Sequence, residues 1–172
     1  MSVHRLHPLP ERAARGRLIV SEAVVDATRA TLLAAGDRMP SHEGLVWWLG
    51  RQVEEDTLAL ALHVPQVDSG PTQVLTDEVA LGRAARLARS YGLGVVAQVH
   101  SHPGTDTRHS DGDDRLVVMP FDGMFSLVIG EYGSGSMLPE SGAELHQYLQ
   151  GHWCLVRQIE PALVVIPTEV SQ

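Results

Sequence analysis

The chain of 172 residues contains no lysine and no asparagine, and it has a single cysteine. Because one thiol cannot form an internal disulfide, we predict that Cys154 is a small buried residue rather than a reactive one. A chain of this length can form one domain with its own hydrophobic core, without disulfide support. The exclusive use of arginine for basic positions is attributed to a GC-rich, bacterial coding bias.

Long apolar runs are also missing. No run approaches the roughly 20 residues of a membrane-spanning helix, and the N-terminus lacks the hydrophobic core of a signal peptide. We therefore expect a soluble, cytoplasmic protein without a membrane partner. The formal net charge is −8, which disfavours nucleic acid as a partner because affinity for phosphates depends on clustered cations.

Three arginines do stand at helical spacing, namely Arg83, Arg86 and Arg89. We interpret them as the solvated face of a helix, with a docking surface for an acidic partner as the alternative.

Two histidines stand two positions apart at the end of an apolar run, Leu93 to Val99. Alternate side chains of a strand point to the same side, so the imidazoles of His100 and His102 can reach one metal ion. A loop that turns back after them can bring the carboxylate of Asp113 to the same ion. Three protein ligands leave one tetrahedral position open, which is typical of a catalytic zinc ion.

The spacing His-x-His-x₇-Ser-x-x-Asp, from His100 to Asp113, resembles the JAMM motif of the JAB/MPN metalloprotease family. That motif also has an upstream glutamate at the start of an apolar strand and a glycine seven residues later, an interval that Glu43 and Gly50 keep. The resemblance extends roughly from residue 17 to 167. His109 stands where proline is common, and Val46 stands where glycine is frequent.

The resemblance implies a bacterial-type, single-domain, deubiquitinase-like isopeptidase that holds one Zn²⁺ per chain. The implied ligands are His100, His102 and Asp113, with Asp111 and Asp114 as nearby alternatives to the last. Glu43 would be the general base and acid, and Ser110 would donate a hydrogen bond to the oxyanion. The alternatives are a pure helix cap for Ser110 and an exposed strand-end carboxylate for Glu43. No residue is assigned to an organic cofactor.

The implied reaction is hydrolysis of an amide or isopeptide bond at the C-terminus of a ubiquitin-like protein, whose extended tail would pair with a sheet edge. Two alternatives stay open: a hydrolase acting on a small adduct of a sulfur-carrier protein, and a non-catalytic MPN-type scaffold. The sequence leaves the oligomeric state undetermined.

The periodicity of apolar residues predicts a single α/β domain of the α+β type, with a mixed central sheet flanked by helices. The resemblance implies the same arrangement, as a JAB/MPN-like domain over residues 17–172. Residues 1–16 are predicted to be a flexible N-terminal arm. One helix should follow Ser21 and end near Gly36, a second should follow Thr76 and stop at Gly92, and a short third helix should open at Ser110 and run to residue 119. Strands are predicted at 17–20, 44–49, 58–64, 93–99, 124–129, 145–149, 153–159 and 163–166.

The segment from Gly133 to Gly142 is rich in glycine and serine and is predicted to be a mobile loop. The other histidines of the folded region are interpreted as ordinary polar residues: His42, His63, His109, His146 and His152.

Overall fold

The computed structural model describes residues 5–116 and 120–169. In that part of the chain, two α-helices accompany eleven strands. The helices are α1 (Glu22–Gly36) and α2 (Glu78–Ser90). The strands are β1 (Glu11–Arg12), β2 (Leu18–Ser21), β3 (Leu45–Val53), β4 (Asp56–His63), β5 (Asp68–Gly70), β6 (Gln73–Leu75), β7 (Gly94–Ser101), β8 (Phe125–Ile129), β9 (Glu144–Leu149), β10 (His152–Val156) and β11 (Leu163–Ile166).

Nine strands form one mixed sheet in the order β1-β10-β9-β8-β7-β3-β4-β2-β11, and β5 pairs with β6 in a separate hairpin. Strand β7 is the middle strand, antiparallel to β3 on one side and parallel to β8 on the other. The predicted α+β domain with a mixed sheet is confirmed. The strand that contains His100 and ends just before His102 is therefore held by hydrogen bonds along both edges.

Each face of the sheet is covered by one helix. Trp48 is fully buried on the α1 side, where its indole N–H donates to the hydroxyl of Thr28 at 2.8 Å. Its neighbour Trp47 is buried on the other face, in a cluster with Ala84 of α2 and Leu116. Adjacent side chains of a strand point to opposite faces, so the two tryptophans are core residues of opposite layers. This explains why β3 is apolar on both sides.

The helix ends follow the predicted chemistry with one difference. The hydroxyl of Ser21 accepts from the backbone of Val24 at the start of α1, as predicted. At α2 the cap is Asp77, whose carboxylate accepts from the backbone of Ala80 at 2.7 Å, and not Thr76. A carboxylate at this position satisfies a free N–H and also favours the positive end of the helix dipole.

The short third helix is smaller than predicted. It is a single 3₁₀ turn, Asp113–Arg115, and the prediction for residues 117–119 falls outside the described residues. Neither α-helix in the described ranges has both the length and the apolar character that crossing a bilayer requires.

Two segments predicted to be mobile make contacts with the domain. In the N-terminal segment, β1 pairs in parallel with β10, with Glu11 opposite Leu155. Between residues 133 and 142, Met137 is 3% exposed in the main core and Leu138 packs against that core. The composition of the second segment suggested mobility, but Met137 and Leu138 pack this segment against the core.

Gly50 lies at an irregularity in the pairing of β3 with β4, where the register shifts between Leu49 and Gly50. A Cβ atom at this position would stand 1.7 Å from the carbonyl oxygen of Leu58. The close approach of the two backbones therefore requires glycine at the end of the interval that begins with Glu43.

We predict that Gly50→Ala lowers the free energy of unfolding by about 1–3 kcal/mol or more, because the backbone of β4 must move to admit the methyl group. Gly94→Ala is the matched control, since Gly94 is the cross-strand partner of Gly50 and a Cβ there meets no atom within 4 Å. Urea denaturation of both variants measures the difference. Equal effects would show that the close approach does not constrain this position.

Candidate active site

The site lies where β3 begins and β7 ends. Leu45 of β3 is the cross-strand partner of His100. The antiparallel register continues beyond the strands, since the backbone N–H of Ser101 donates to the carbonyl of Gly44 at 3.0 Å. This register places Glu43 beside His102. Two segments almost sixty residues apart in the sequence therefore meet at one end of the central strands.

Three buried donor groups converge at this end. The Nε2 atoms of His100 and His102 are 3.2 Å apart, and the carboxylate oxygens of Asp113 lie 3.3 Å from the first and 3.1 Å from the second. A tetrahedral zinc ion with bonds of about 2.0–2.1 Å separates its donor atoms by about 3.3 Å. The three groups thus have the spacing and the chemistry of a metal site, and they are the residues that the sequence motif brought forward.

The tautomer of His102 also suits metal binding. Its Nδ1 lies 2.9 Å from the carbonyl oxygen of Asp106. A carbonyl can only accept a hydrogen bond, so Nδ1 carries the proton and Nε2 of the neutral ring presents a lone pair to the cluster. A backbone acceptor behind a metal-binding histidine is a frequent means of fixing the ring.

The charges of the cluster favour an ionised carboxylate. Burial by itself would raise the pKa of Asp113, but His100 and His102 outweigh it and hold this pKa well below the ordinary value. Burial lowers the pKa of His100, despite the attraction of the carboxylate. The pKa of His102 is raised, because Asp113 and the Asp106 carbonyl outweigh the effect of burial.

The Ser-x-x-Asp spacing closes a small turn. The backbone N–H of Ser110 donates to the Asp113 carboxylate at 2.6 Å, and the Ser110 hydroxyl accepts from the backbone N–H of Asp113 at 3.1 Å. These reciprocal bonds resemble a capping box. They orient Asp113 towards the histidines. The serine hydroxyl acts as an acceptor in this pair, so its own proton is free to be donated elsewhere.

Glu43 is a buried residue at the edge of the cluster, with 6% of its surface exposed. Burial raises its pKa to about 7. Within the described residues, the donor atoms that lie within 4.8 Å of one another come from the two histidines and the aspartate, and Glu43 is not among them. The alternative of an exposed strand-end carboxylate does not fit this position.

Two residues that the sequence did not bring forward hold the site together. The hydroxyl of Ser101 accepts from the backbone N–H of Gly44 at 2.9 Å. The backbone N–H of Tyr132 donates to the carbonyl of His102 at 2.7 Å, and its phenol donates to the carbonyl of Pro71 at 2.9 Å. Pro71 lies in the turn of the β5–β6 hairpin. In the same hairpin, the carbonyl of Gly70 accepts from the backbone N–H of Glu43 at 2.9 Å. Tyr132 therefore connects the histidine side of the site to the glutamate side.

The backbone at Tyr132 adopts an uncommon conformation. Glu131 and Tyr132 both have a φ of 54°, in the left-handed region. Such a conformation costs on the order of 1 kcal/mol per residue outside glycine and often marks a functional segment. No sequence pattern predicts this conformation at these residues, whereas Ser101 could have been noticed because it stands between His100 and His102 in the motif.

Two of the histidines interpreted as ordinary polar residues are in fact buried. His109 and His146 are 0% and 1% exposed, with ring centroids 4.4 Å apart. Both ring nitrogens of His109 have partners, the carboxylate of Asp114 at 3.0 Å and the hydroxyl of Ser126 at 2.9 Å. His109 thus anchors the loop at a position where the JAMM motif commonly has proline.

We predict that Ser101→Ala lowers the free energy of unfolding by about 1–3 kcal/mol, because the buried N–H of Gly44 then has no acceptor. Ser90→Ala is the control. The Ser90 hydroxyl is exposed and bonds only to the nearby carbonyl of Leu87, so its loss should change stability by less than about 0.5 kcal/mol. Denaturant unfolding compares the two, and a Ser101 variant as stable as the control would contradict the assignment.

Comparisons with known proteins agree with this geometry. A family model described as prokaryotic homologs of the JAB domain matches residues 23–139, which is more than half of the chain and includes all five predicted site residues. A probable metalloprotease of Sinorhizobium fredii is 31% identical over 114 residues, covering 63% of this chain and 67% of the relative. A probable TtuB-protein conjugate cleaving protease of Thermus thermophilus is 36% identical over 87 residues, covering 50% of this chain and 53% of the relative.

Solved structures show the same fold. A solution structure of a protein from Desulfitobacterium hafniense superposes with a TM-score of 0.63 at 18% identity, covering 89% of this chain and 94% of that one. A second, from Salinibacter ruber, gives a TM-score of 0.54 at 18% identity, covering 83% and 90%. The family match, which extends over more than half of the chain, shows that the chain belongs to the prokaryotic homologs of the JAB domain.

Proposed function

We propose that this protein is a zinc-dependent hydrolase that cleaves an amide or isopeptide bond at the C-terminus of a ubiquitin-like protein. The observation that carries the proposal is the convergence of three buried donor groups, from His100, His102 and Asp113, beside a buried glutamate. A relative named a probable metalloprotease and another named a conjugate cleaving protease support the same chemistry.

The donor set favours one zinc ion per chain. Two neutral imidazoles and one carboxylate are ligands of the type that catalytic zinc sites use, with a further position left for substrate or water. Bound zinc supplies a Lewis acid, which polarises a carbonyl group and makes water nucleophilic at neutral pH.

Glu43 is the proposed general base and acid. Its buried carboxylate takes a proton from the attacking water and delivers it to the amine that leaves. A pKa of about 7 suits a group that must both accept and release a proton near neutral pH. The bond from its backbone to Gly70 and the bond from Gly44 to Ser101 hold the start of β3 in place.

Ser110 is the proposed donor to the oxyanion. Its hydroxyl lies in the same turn as Asp113, and the proton is not needed for the bond that closes this turn. Donation to a developing oxyanion is worth up to about 3–4 kcal/mol in other hydrolases. A capping role and an oxyanion role are compatible, because the first uses a lone pair and the second uses the proton.

The proposed substrate is the extended C-terminal tail of a ubiquitin-like protein. The hairpin β5–β6 is a two-stranded sheet bonded to Glu43 through Gly70. In this proposal the extended tail pairs with an edge of this hairpin through main-chain hydrogen bonds. One relative is named a probable TtuB-protein conjugate cleaving protease. This name favours a protein conjugate as the substrate over a small adduct of a sulfur-carrier protein.

One experiment tests the reaction class and the substrate together. The purified protein is incubated with a panel of ubiquitin-like precursors, protein conjugates and small-adduct forms, with and without chelator. We expect cleavage of a protein conjugate that chelator abolishes and zinc restores. Cleavage of the small adduct alone would favour the sulfur-carrier alternative, and the absence of any product together with the absence of bound metal would favour a non-catalytic scaffold.

The ligand assignment predicts the behaviour of histidine variants. Wild type should bind about one zinc ion per chain, and replacing both His100 and His102 by alanine should abolish stoichiometric binding, since only one of three ligands remains. His152→Ala is the control, because His152 is exposed and outside the cluster. Metal analysis after dialysis measures the stoichiometry, and full zinc content in the double variant would refute the site.

Glu43→Gln separates chemistry from metal binding. The amide keeps the shape of the side chain but cannot act as a base, so zinc content should equal that of wild type while turnover falls by about 10²–10⁴. The paired measurement is zinc stoichiometry and the cleavage rate. Loss of zinc would make Glu43 a ligand or a folding residue, and full turnover would remove it from the mechanism.

A further inference from the structure

The N-terminal segment reaches the metal loop through one side chain. The guanidinium of Arg5 donates to the carbonyl of His109 at 3.1 Å, to the carbonyl of Ser110 at 3.1 Å, and to both carboxylate oxygens of Asp114 at 3.3 and 3.0 Å. A further N–H, from Nε, donates to the carbonyl of His7 at 2.8 Å. All acceptors except the last belong to residues 109–114.

This contact differs from an ordinary surface ion pair. Only 15% of the Arg5 side chain and 33% of the Asp114 side chain are exposed. Solvent screens such a pair less than an exposed pair, and the planar guanidinium fits a carboxylate and neighbouring carbonyls at the same time. The backbone N–H of Leu6 adds a bond to the carboxylate of Asp111 at 3.1 Å. The N-terminal segment is therefore attached to the loop through two consecutive residues, Arg5 and Leu6.

The same loop is held from the opposite side by the central sheet. His109 bonds to Asp114 through Nδ1 and to the hydroxyl of Ser126 on β8 through Nε2. That hydroxyl in turn accepts from the amide of Gln98 on β7 at 3.0 Å. The carboxylate of Asp114 thus accepts hydrogen bonds from Arg5 of the N-terminal segment and from His109, which is bonded to the sheet. Ser110 and Asp113 lie in the turn between these attachments.

We propose that Arg5 is a positioning residue for the metal centre: it clamps residues 109–114 against the sheet and thereby keeps the Asp113 carboxylate beside the two histidines. The inference rests on the proposed zinc site for its effect on metal affinity. The effect on the loop itself does not depend on any metal. Arg5 contacts the carbonyls of His7, His109 and Ser110 and the carboxylate of Asp114, and none of these groups is one of the three clustered donor groups.

The test uses Arg5→Ala, Asp114→Ala and the double variant in the full chain. Arg17→Ala is the matched control, because Arg17 also pairs with an aspartate of the sheet, Asp56, through two nitrogens. Asp56 pairs with Val53 at the end of β3, whereas the site lies at the start of this strand, where Leu45 pairs with His100. Two quantities are measured for each protein: hydrogen exchange of the peptide that contains residues 109–116 in the metal-free state, and the dissociation constant for zinc by competition with a chromogenic chelator.

We expect Arg5→Ala to increase exchange of the loop amides by about tenfold or more, because these amides then open locally without global unfolding. The dissociation constant for zinc should rise about 10–100-fold, the usual effect of losing a residue that orients a metal ligand. The effect of the double variant should be smaller than the sum of the two single effects, because each single change already removes the bond between Arg5 and Asp114. It should exceed the effect of Asp114→Ala alone, because Arg5 still bonds to the carbonyls of His109 and Ser110 in that variant. Arg17→Ala should change neither quantity.

The outcomes are distinguishable. Unchanged loop exchange and unchanged zinc affinity in Arg5→Ala would overturn the proposal, and so would an equal effect in Arg17→Ala. If wild type itself binds no zinc, the proposed function fails, but the exchange measurement still decides whether Arg5 clamps the loop. Additive losses in the double variant would also contradict a shared attachment.

Discussion

Two buried histidine nitrogens face one buried carboxylate, and much of the structure around the site serves to keep these three groups together. Burying the Asp113 carboxylate is costly unless it is paired and hydrogen-bonded. The structure meets that cost with His100, His102 and the backbone N–H of Ser110. A carboxylate so placed stays ionised, which is the form that a metal cation requires as a ligand.

The rigidity of the centre comes from where it sits in the sheet. β7 is the middle of nine strands, and Ser101 at its end exchanges bonds with Gly44 both through its backbone and through its hydroxyl. Because Gly44 stands next to Glu43 and Ser101 stands between the two histidines, these bonds fix the backbone of Glu43 relative to His100 and His102. Tyr132 extends the same frame to the hairpin at Pro71, at the cost of a left-handed backbone. The proposed base, Glu43, and the three candidate ligands thus belong to one hydrogen-bonded network.

Local patterns predicted the parts of the site that depend on local geometry. Alternation along β7 brings His100 and His102 to one side, and the resemblance of the Ser-x-x-Asp spacing to the JAMM motif singles out Asp113, so the three candidate ligands could be named without a structure. The start of α1 at Ser21 follows from capping chemistry in the same way. Thr76 was the wrong cap for α2 because its neighbour Asp77 offers a stronger acceptor for the free N–H groups. The buried state of His109 and His146 was missed, because burial is a property of packing and not of residue type.

The sequence by itself determined the mixed α+β class and singled out the three candidate ligands, since the first depends on periodicity over a few residues and the second on a short motif. Only the tertiary structure decided which distant segments support the site. Arg5 reaches residues more than a hundred positions away, and Tyr132 joins a histidine to a hairpin formed some sixty positions earlier in the chain. Such contacts leave no periodic signal, because they are set by how strands pair across the sheet and not by the spacing of neighbouring residues.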